Sequence, residues 1–149
     1  MASEAVQIAT ALKTDLDAQS WPVTLTSYRE YLGHISREDL GTANRVSIFP
    51  YSHNLGAISR GSVEREHGVA IVLRSSAAPE VASGVDELVE TVEDLSDRYR
   101  LQKINYTEDS IATPTAVAQL LGDQLYDVDR LADSRTFLGG LIITYTTRS

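Results

Sequence analysis

The stretch Val85-Asp-Glu-Leu-Val-Glu-Thr-Val-Glu-Asp-Leu-Ser-Asp-Arg-Tyr99 decides how the chain is read. Val85, Leu88, Val89, Val92, Leu95 and Tyr99 recur at steps of three and four, which is one face of a helix. Asp86, Glu87, Glu90, Glu93, Asp94 and Asp97 fall mainly on the other faces. Ser83 is expected to cap the start, with acid in the first turn, and Arg98, Arg100 and Lys103 follow at the end. Each sign suits its pole of the helix dipole. A helix so one-sided needs an apolar surface to cover, and the runs on either side of it are β-patterned.

Before it, Ser3 to Ala18 reads as a first helix, with Ile8, Leu12 and Leu16 four apart and Ser3 as its cap. Pro22 ends that helix, and Trp21 is expected to plug the joint with the strand that follows. Val23 to Leu32 carries alternating Val and Leu with Thr and Tyr, a strand signal. Gly33 to Gly41 is a connection in which Ser36 and Asp39 could cap one short helical turn. Arg45 to Tyr51 is a second strand, with Pro50 marking an edge or the end of pairing. Ser52 to Ser62, polar and rich in Gly and Ser, reads as a long hairpin loop or projecting arm. Val69 to Leu73 is apolar at every position, so both faces of the return strand are expected to be buried, at the centre of a sheet.

After it, Leu101 to Tyr106 is a short strand and Thr107 to Thr113 a polar loop. Thr113-Pro114 reads as a helix start, with Val117, Leu120 and Leu121 on its apolar side. Asp123 to Asp133 is acidic and irregular. Thr136 to Thr147 is the last strand, with Gly139-Gly140 as a bulge or a close approach. Strand–helix–strand crossovers are few, which implies one α+β domain over 1–149. Its sheet is expected to be mainly antiparallel, with helices packed on one face.

At 149 residues the chain suits a single domain with a real core. A formal charge of −8 argues against a protein that grips nucleic acid through phosphates, or one that seeks an anionic membrane surface. The absence of cysteine removes disulfides, thiolate nucleophiles and zinc–thiolate sites together. The N-terminus carries no signal-peptide pattern, and no apolar run reaches the ~18 residues of a membrane span.

Catalytic and metal patterns fail in turn. His34, His53 and His67 each lack a second histidine at ligand spacing. Asp127-x-Asp129 opens like a calcium loop but continues with Leu131, Ala132 and Leu138 where Asp or Asn, Gly and Glu are required. Gly61-Ser62 precedes a strand rather than a helix with Lys, so it is no phosphate cradle. There is no Gly-x-Ser-x-Gly elbow. The sequence therefore implies no catalytic residues, no metal and no cofactor.

The order of elements suggests more. The opening helix of Ile8, Leu12 and Leu16 comes first, then the strand Arg45-Val-Ser-Ile-Phe-Pro50 before a long arm. The strand Glu66-His-Gly-Val-Ala-Ile-Val-Leu-Arg74, the amphipathic helix Val85 to Tyr99 and the closing strand Phe137-Leu-Gly-Gly-Leu-Ile-Ile-Thr-Tyr145 follow. Over nearly its full length this resembles the tail terminator, or tail completion, proteins of long-tailed bacteriophages. The resemblance implies a non-enzymatic virion protein, present in the host cytoplasm during assembly. It implies a homo-hexameric ring that caps the tail tube, stops its polymerisation and presents the head–tail joining surface. The partners it implies are further copies of itself, the tail tube protein and a head-completion or neck protein, with DNA passing through the lumen and no membrane contact. The arm would carry the interface, through Tyr51, His53, Asn54, Leu55, Ile58 and Arg60. A head-closure protein of a phage neck is the alternative of the same class, and a small-molecule-binding or hydrolytic α+β domain the alternative from another.

Overall fold

The computed structural model describes residues 3–33, 40–59, 62–122 and 124–148, with the backbone alone at 54–59, 62–63 and 148. The turn expected from Ser36 and Asp39 lies outside the described residues. Among those residues the chain runs α1 (Glu4–Asp17), β1 (Leu25–Tyr28), β2 (Asn44–Ser59), β3 (Ser62–Ser76), α2 (Ala82–Tyr99), β4 (Ile104–Thr107), β5 (Ser110–Gln119), α3 (Val128–Ser134) and β6 (Thr136–Arg148). The strands form one sheet in the order β1-β2-β3-β6-β5-β4. Four of its neighbouring pairs are antiparallel, and β1 lies parallel to β2. The fold is α+β as expected, with a mixed rather than purely antiparallel sheet.

Both long helices lie on one face. The Ser3 hydroxyl accepts from the Val6 amide at 3.2 Å and starts α1, whose Ile8, Ala9, Leu12 and Leu16 are buried. In α2, Val85, Leu88, Thr91, Val92, Leu95 and Tyr99 are buried while the acids face solvent. These residues join Val69, Ile71, Leu73, Leu141 and Ile143 in one apolar cluster. The alternate residues Ala70, Val72 and Leu138 meet Phe49 in a smaller cluster on the opposite face, with Leu120 and Ile142 packed against it. That is the two-sided burial that an apolar run such as Val69 to Leu73 requires. Trp21 sits at the joint as expected, its indole N–H donating to the Leu16 carbonyl at 3.0 Å.

Several local expectations are overturned. Helix α2 begins at Ala82 behind Val81, which makes no side-chain cap, so Ser83 lies inside the first turn and no acid falls there. The strand expected over Val23 to Leu32 is confined to Leu25–Tyr28, and residues 29–33 leave it to cross the rear face. Thr107 to Thr113 is not a loop, because β4 and β5 turn back on each other with Thr107 opposite Ser110. Nor does Thr113-Pro114 start a helix: it lies in β5, Pro114 opposite Tyr145 beside a register shift. Strand β4 reaches only as far as Ala112, so the missing Pro114 amide proton costs no ladder bond. Asp123 to Asp133 contains α3, capped by Asp127, whose carboxylate accepts from the Arg130 amide at 3.0 Å. Its one buried residue, Leu131, gives no periodicity to read. Gly139 and Gly140 are a close approach and not a bulge, since their register with Leu73 and Val72 is unbroken. A Cβ on Gly140 would collide with the Ile71 carbonyl, and one on Gly139 would stand 2.6 Å from that of Leu125.

The two helices are latched by Arg98, whose guanidinium donates twice to the Asp15 carboxylate, each at 2.9 Å. Burial pushes the Asp15 carboxyl up, but the Arg98 hydrogen bonds and charge and the Tyr99 hydroxyl outweigh it and hold it below the usual range. A carboxyl that ionises more readily folded than unfolded stabilises fully at neutral pH, and that contribution is lost as the pH falls through its folded value. Asp15→Asn should therefore lower the urea midpoint at pH 7 and flatten the loss of stability below about pH 4. Leu95→Ala should cost about 2–5 kcal/mol in urea unfolding; a loss under roughly half of one kcal/mol would show that α2 does not seal the sheet.

Candidate functional site

The hairpin β2–β3 holds the residues singled out in the sequence. Its register slips twice, between Pro50 and Ser52 and between Leu55 and Ile58. Each slip is an extra residue that bends and twists the ribbon. The segment expected to be a loop or free arm is strand on both sides, from Asn44 to Ser59 and from Ser62 to Ser76. Strand β6 flanks β3 as far as Glu64, opposite Arg148, so only the tip extends past it. Tyr51, left over by the first slip, is 57% exposed. Asn54, Leu55 and Ile58 pair in backbone register with Glu66, Arg65 and Val63, and Arg60 lies outside the described residues. Strand β1 pairs only with Asn44 to Ser47. From Ile48 onward no described strand covers the outer edge of β2, where Arg29 donates to the Ile48 carbonyl at 2.6 Å.

On the helical face, the hairpin meets the start of α1 in a polar cluster. His53 stands opposite His67, their Nδ1 atoms 3.3 Å apart and ring centroids at 5.0 Å. His67 is buried and His53 is exposed. The Nε2 atom of His67 lies 3.6 Å from Glu4 Oε1, an oxygen that accepts from the Tyr106 hydroxyl at 3.0 Å. The other Glu4 oxygen accepts from Arg65 at 3.2 Å. Burial lowers the His67 pKa; Glu4 opposes that, while His53 and Arg65 add to it. Burial would raise Glu4, but the Thr147 and Tyr106 hydroxyls, His67 and Arg65 together hold it below the usual carboxylate range.

The rear face holds a second cluster. Arg45 donates twice to Glu30, at 2.7 and 2.6 Å, and lies over the Tyr28 ring at 4.0 Å from its centroid. Ser47 donates to the same carboxylate at 2.9 Å. Arg74, 2% exposed, donates to the Gly33 carbonyl at 2.5 Å and to the Ser47 hydroxyl at 3.1 Å, and stands 3.7 Å from Glu30. Burial pushes its pKa down against the pull of Glu30. The Arg45 hydrogen bonds hold the Glu30 carboxyl below its ordinary value against burial.

The sequence reading missed both clusters for one reason. Testing for a histidine partner at i+4 finds sites on helices, and His53 and His67 are fourteen residues apart across a bulged hairpin. Folding the sequence about Arg60-Gly61 brings them near each other but leaves the register open by the two slips. Arg45 and Arg74 are opposite each other across the β2–β3 hairpin, and Glu30 reaches them only through the connection that follows the parallel strand β1.

A surface hollow of about 340 Å³ lies between the end of α1 and β1 beside Asp17 and Trp21, and another of about 270 Å³ lies beside Arg74, Arg130 and Leu138. Among the described residues no group of three or more His, Asp or Glu side chains could hold a metal ion. No described helix is long and apolar enough to cross a membrane. No protein-family model matches the chain, and no curated protein is similar to it.

The rear cluster gives a direct test of its own energetics. Glu30→Ala removes the acceptor of two Arg45 bonds and the nearest described counter-charge to buried Arg74. It should cost roughly 1.5–3 kcal/mol, measured as a shift in the urea midpoint at constant slope. An unchanged midpoint would show that solvent replaces the carboxylate.

Proposed function

We propose that this protein is a structural subunit of a bacteriophage tail, a ring-former of the tail terminator kind. The observation that carries this reading is the outer edge of β2. Twelve residues of strand, Ile48 to Ser59, have no described strand on the side away from β3, and exposed Tyr51 sits on that length. Unpaired strand edges add a strand from a neighbour readily, and a closed ring of copies removes every such edge by using it. The solvent face of α2, with Asp86, Glu87, Glu90, Glu93, Asp94 and Asp97, supports the same reading. A lumen that lets DNA slide must not bind it, and carboxylates repel phosphates. The ring would cap the tube built by the tail tube protein and meet a neck protein on its other side.

The decisive measurement is particle mass by light scattering over a range of concentrations, followed by electron microscopy of the particles. Hexameric rings with an open lumen are expected. A monomer at every concentration, alone and with tail tubes, overturns the reading. Tyr51→Lys should abolish the ring while leaving the thermal midpoint of the monomer unchanged, because Tyr51 is outside the core. Rings that persist in this variant would remove the β2 edge from the interface.

A further inference from the structure

The pair His53 and His67, backed by Glu4, is built like half of a metal site, and we propose that it binds a borderline divalent transition metal ion, Zn²⁺, Ni²⁺ or Cu²⁺. This inference is independent of the ring. The two Nδ1 atoms are 3.3 Å apart. Two metal–nitrogen bonds of about 2.0–2.1 Å span that separation at an angle of roughly 105–110°, close to tetrahedral.

The tautomer of His67 is set by its surroundings. Its Nε2 is buried, has no described hydrogen-bond partner and faces Glu4 Oε1 at 3.6 Å. A bare Nε2 lone pair there would oppose a carboxylate whose ionised form the surroundings favour, so the proton belongs on Nε2 and the lone pair on Nδ1, aimed at His53. A carboxylate behind the far nitrogen of an imidazole is the usual outer partner of a metal-bound histidine. Glu4 is in turn anchored by Tyr106 and Arg65. His53 is exposed, so its ring exchanges its proton between nitrogens through solvent and can turn a second lone pair toward the same point. Water has access from the His53 side to complete the coordination. Imidazole nitrogen selects zinc, nickel and copper over calcium and magnesium, which need oxygen.

The ion would tie β2 to β3 beside Ser52–Gly68, where the register has just slipped. Calorimetric titration of untagged, chelator-stripped protein with Zn²⁺ and with Ni²⁺ tests this. One ion per chain with micromolar affinity is expected, together with a rise in the thermal midpoint. The Cu²⁺ complex should show hyperfine coupling to two nitrogens in electron paramagnetic resonance. His53→Ala, at an exposed position, should weaken binding at least tenfold, remove the midpoint rise and leave the apo fold intact. His34→Ala, which alters the remaining histidine of the chain, should bind as the parent does. No binding to the parent protein overturns the proposal. So does undiminished binding to His53→Ala, or loss of binding in His34→Ala.

Discussion

Everything in this fold follows from five consecutive residues that must all leave water. Val69, Ala70, Ile71, Val72 and Leu73 are each fully inaccessible. In a strand, successive side chains point to opposite faces, so a run of this kind cannot be satisfied by one covering layer. Helices α1 and α2 supply the first layer through Ile8, Leu12, Leu16, Leu88, Val92 and Leu95. Among the described residues the rear layer has no long helix. It is made by Phe49 and Leu138 with the crossover residues, where the Tyr31 ring lies 5.9 Å from that of Phe49. Gly140 belongs to the same constraint. Strand β6 runs so close to Ile71 and Val72 there that a Cβ has no room.

The rear layer is held by charge as much as by apolar contact. Arg74 ends the apolar run on its rear face and stays buried, which costs solvation that its partners must return. Two come from the connection after β1, the Gly33 carbonyl and the Glu30 carboxylate shared with Arg45, and the third is Ser47 of β2. A well-packed apolar residue could replace such a group at little cost in stability. What the ionic cluster adds is position. The Arg74 contacts to Glu30 and the Gly33 carbonyl tie residues 29–33 to the rear face beside β2 and β3.

Where burial imposed a period, the sequence was legible. The 3.6-residue rhythm of α1 and α2, the capping Ser3 and the continuous apolar run of β3 all mark elements that the fold contains, and α+β follows from their order. Where local chemistry offers two readings, it was not. Thr113-Pro114 suits a helix start and also the uncovered part of an edge-exposed strand, and what decides is how far β4 reaches. Helix α3 buries Leu131 alone, so no pattern marks it. Ser83 is a good cap two residues too late, because Val81 starts the helix without any side-chain bond. The histidine pair and the Glu30 cluster depend on bulge positions and on a parallel pairing, which are properties of the assembled sheet that no single window of sequence carries.

The hairpin edge bears on function through how it is guarded. Long open strands invite pairing with other chains, and proteins that must stay apart blunt them with proline, bulges and charge. On β2 those devices sit at one end. Arg29 occupies the Ile48 carbonyl, Pro50 lacks an amide proton, and the first register slip follows at once. The guarded backbone thus adjoins β1, and the exposed Tyr51 ring stands at the slip where the open length begins. Beyond Ser52 the backbone guard is only the second slip, between Leu55 and Ile58. Among the described residues the edge is closed at its root and open toward its tip, which limits the register in which another strand could pair. Indiscriminate aggregation would need the whole edge open, and a solitary monomer would want all of it closed. In the proposed ring each copy would offer the same strand to its neighbour at the same height.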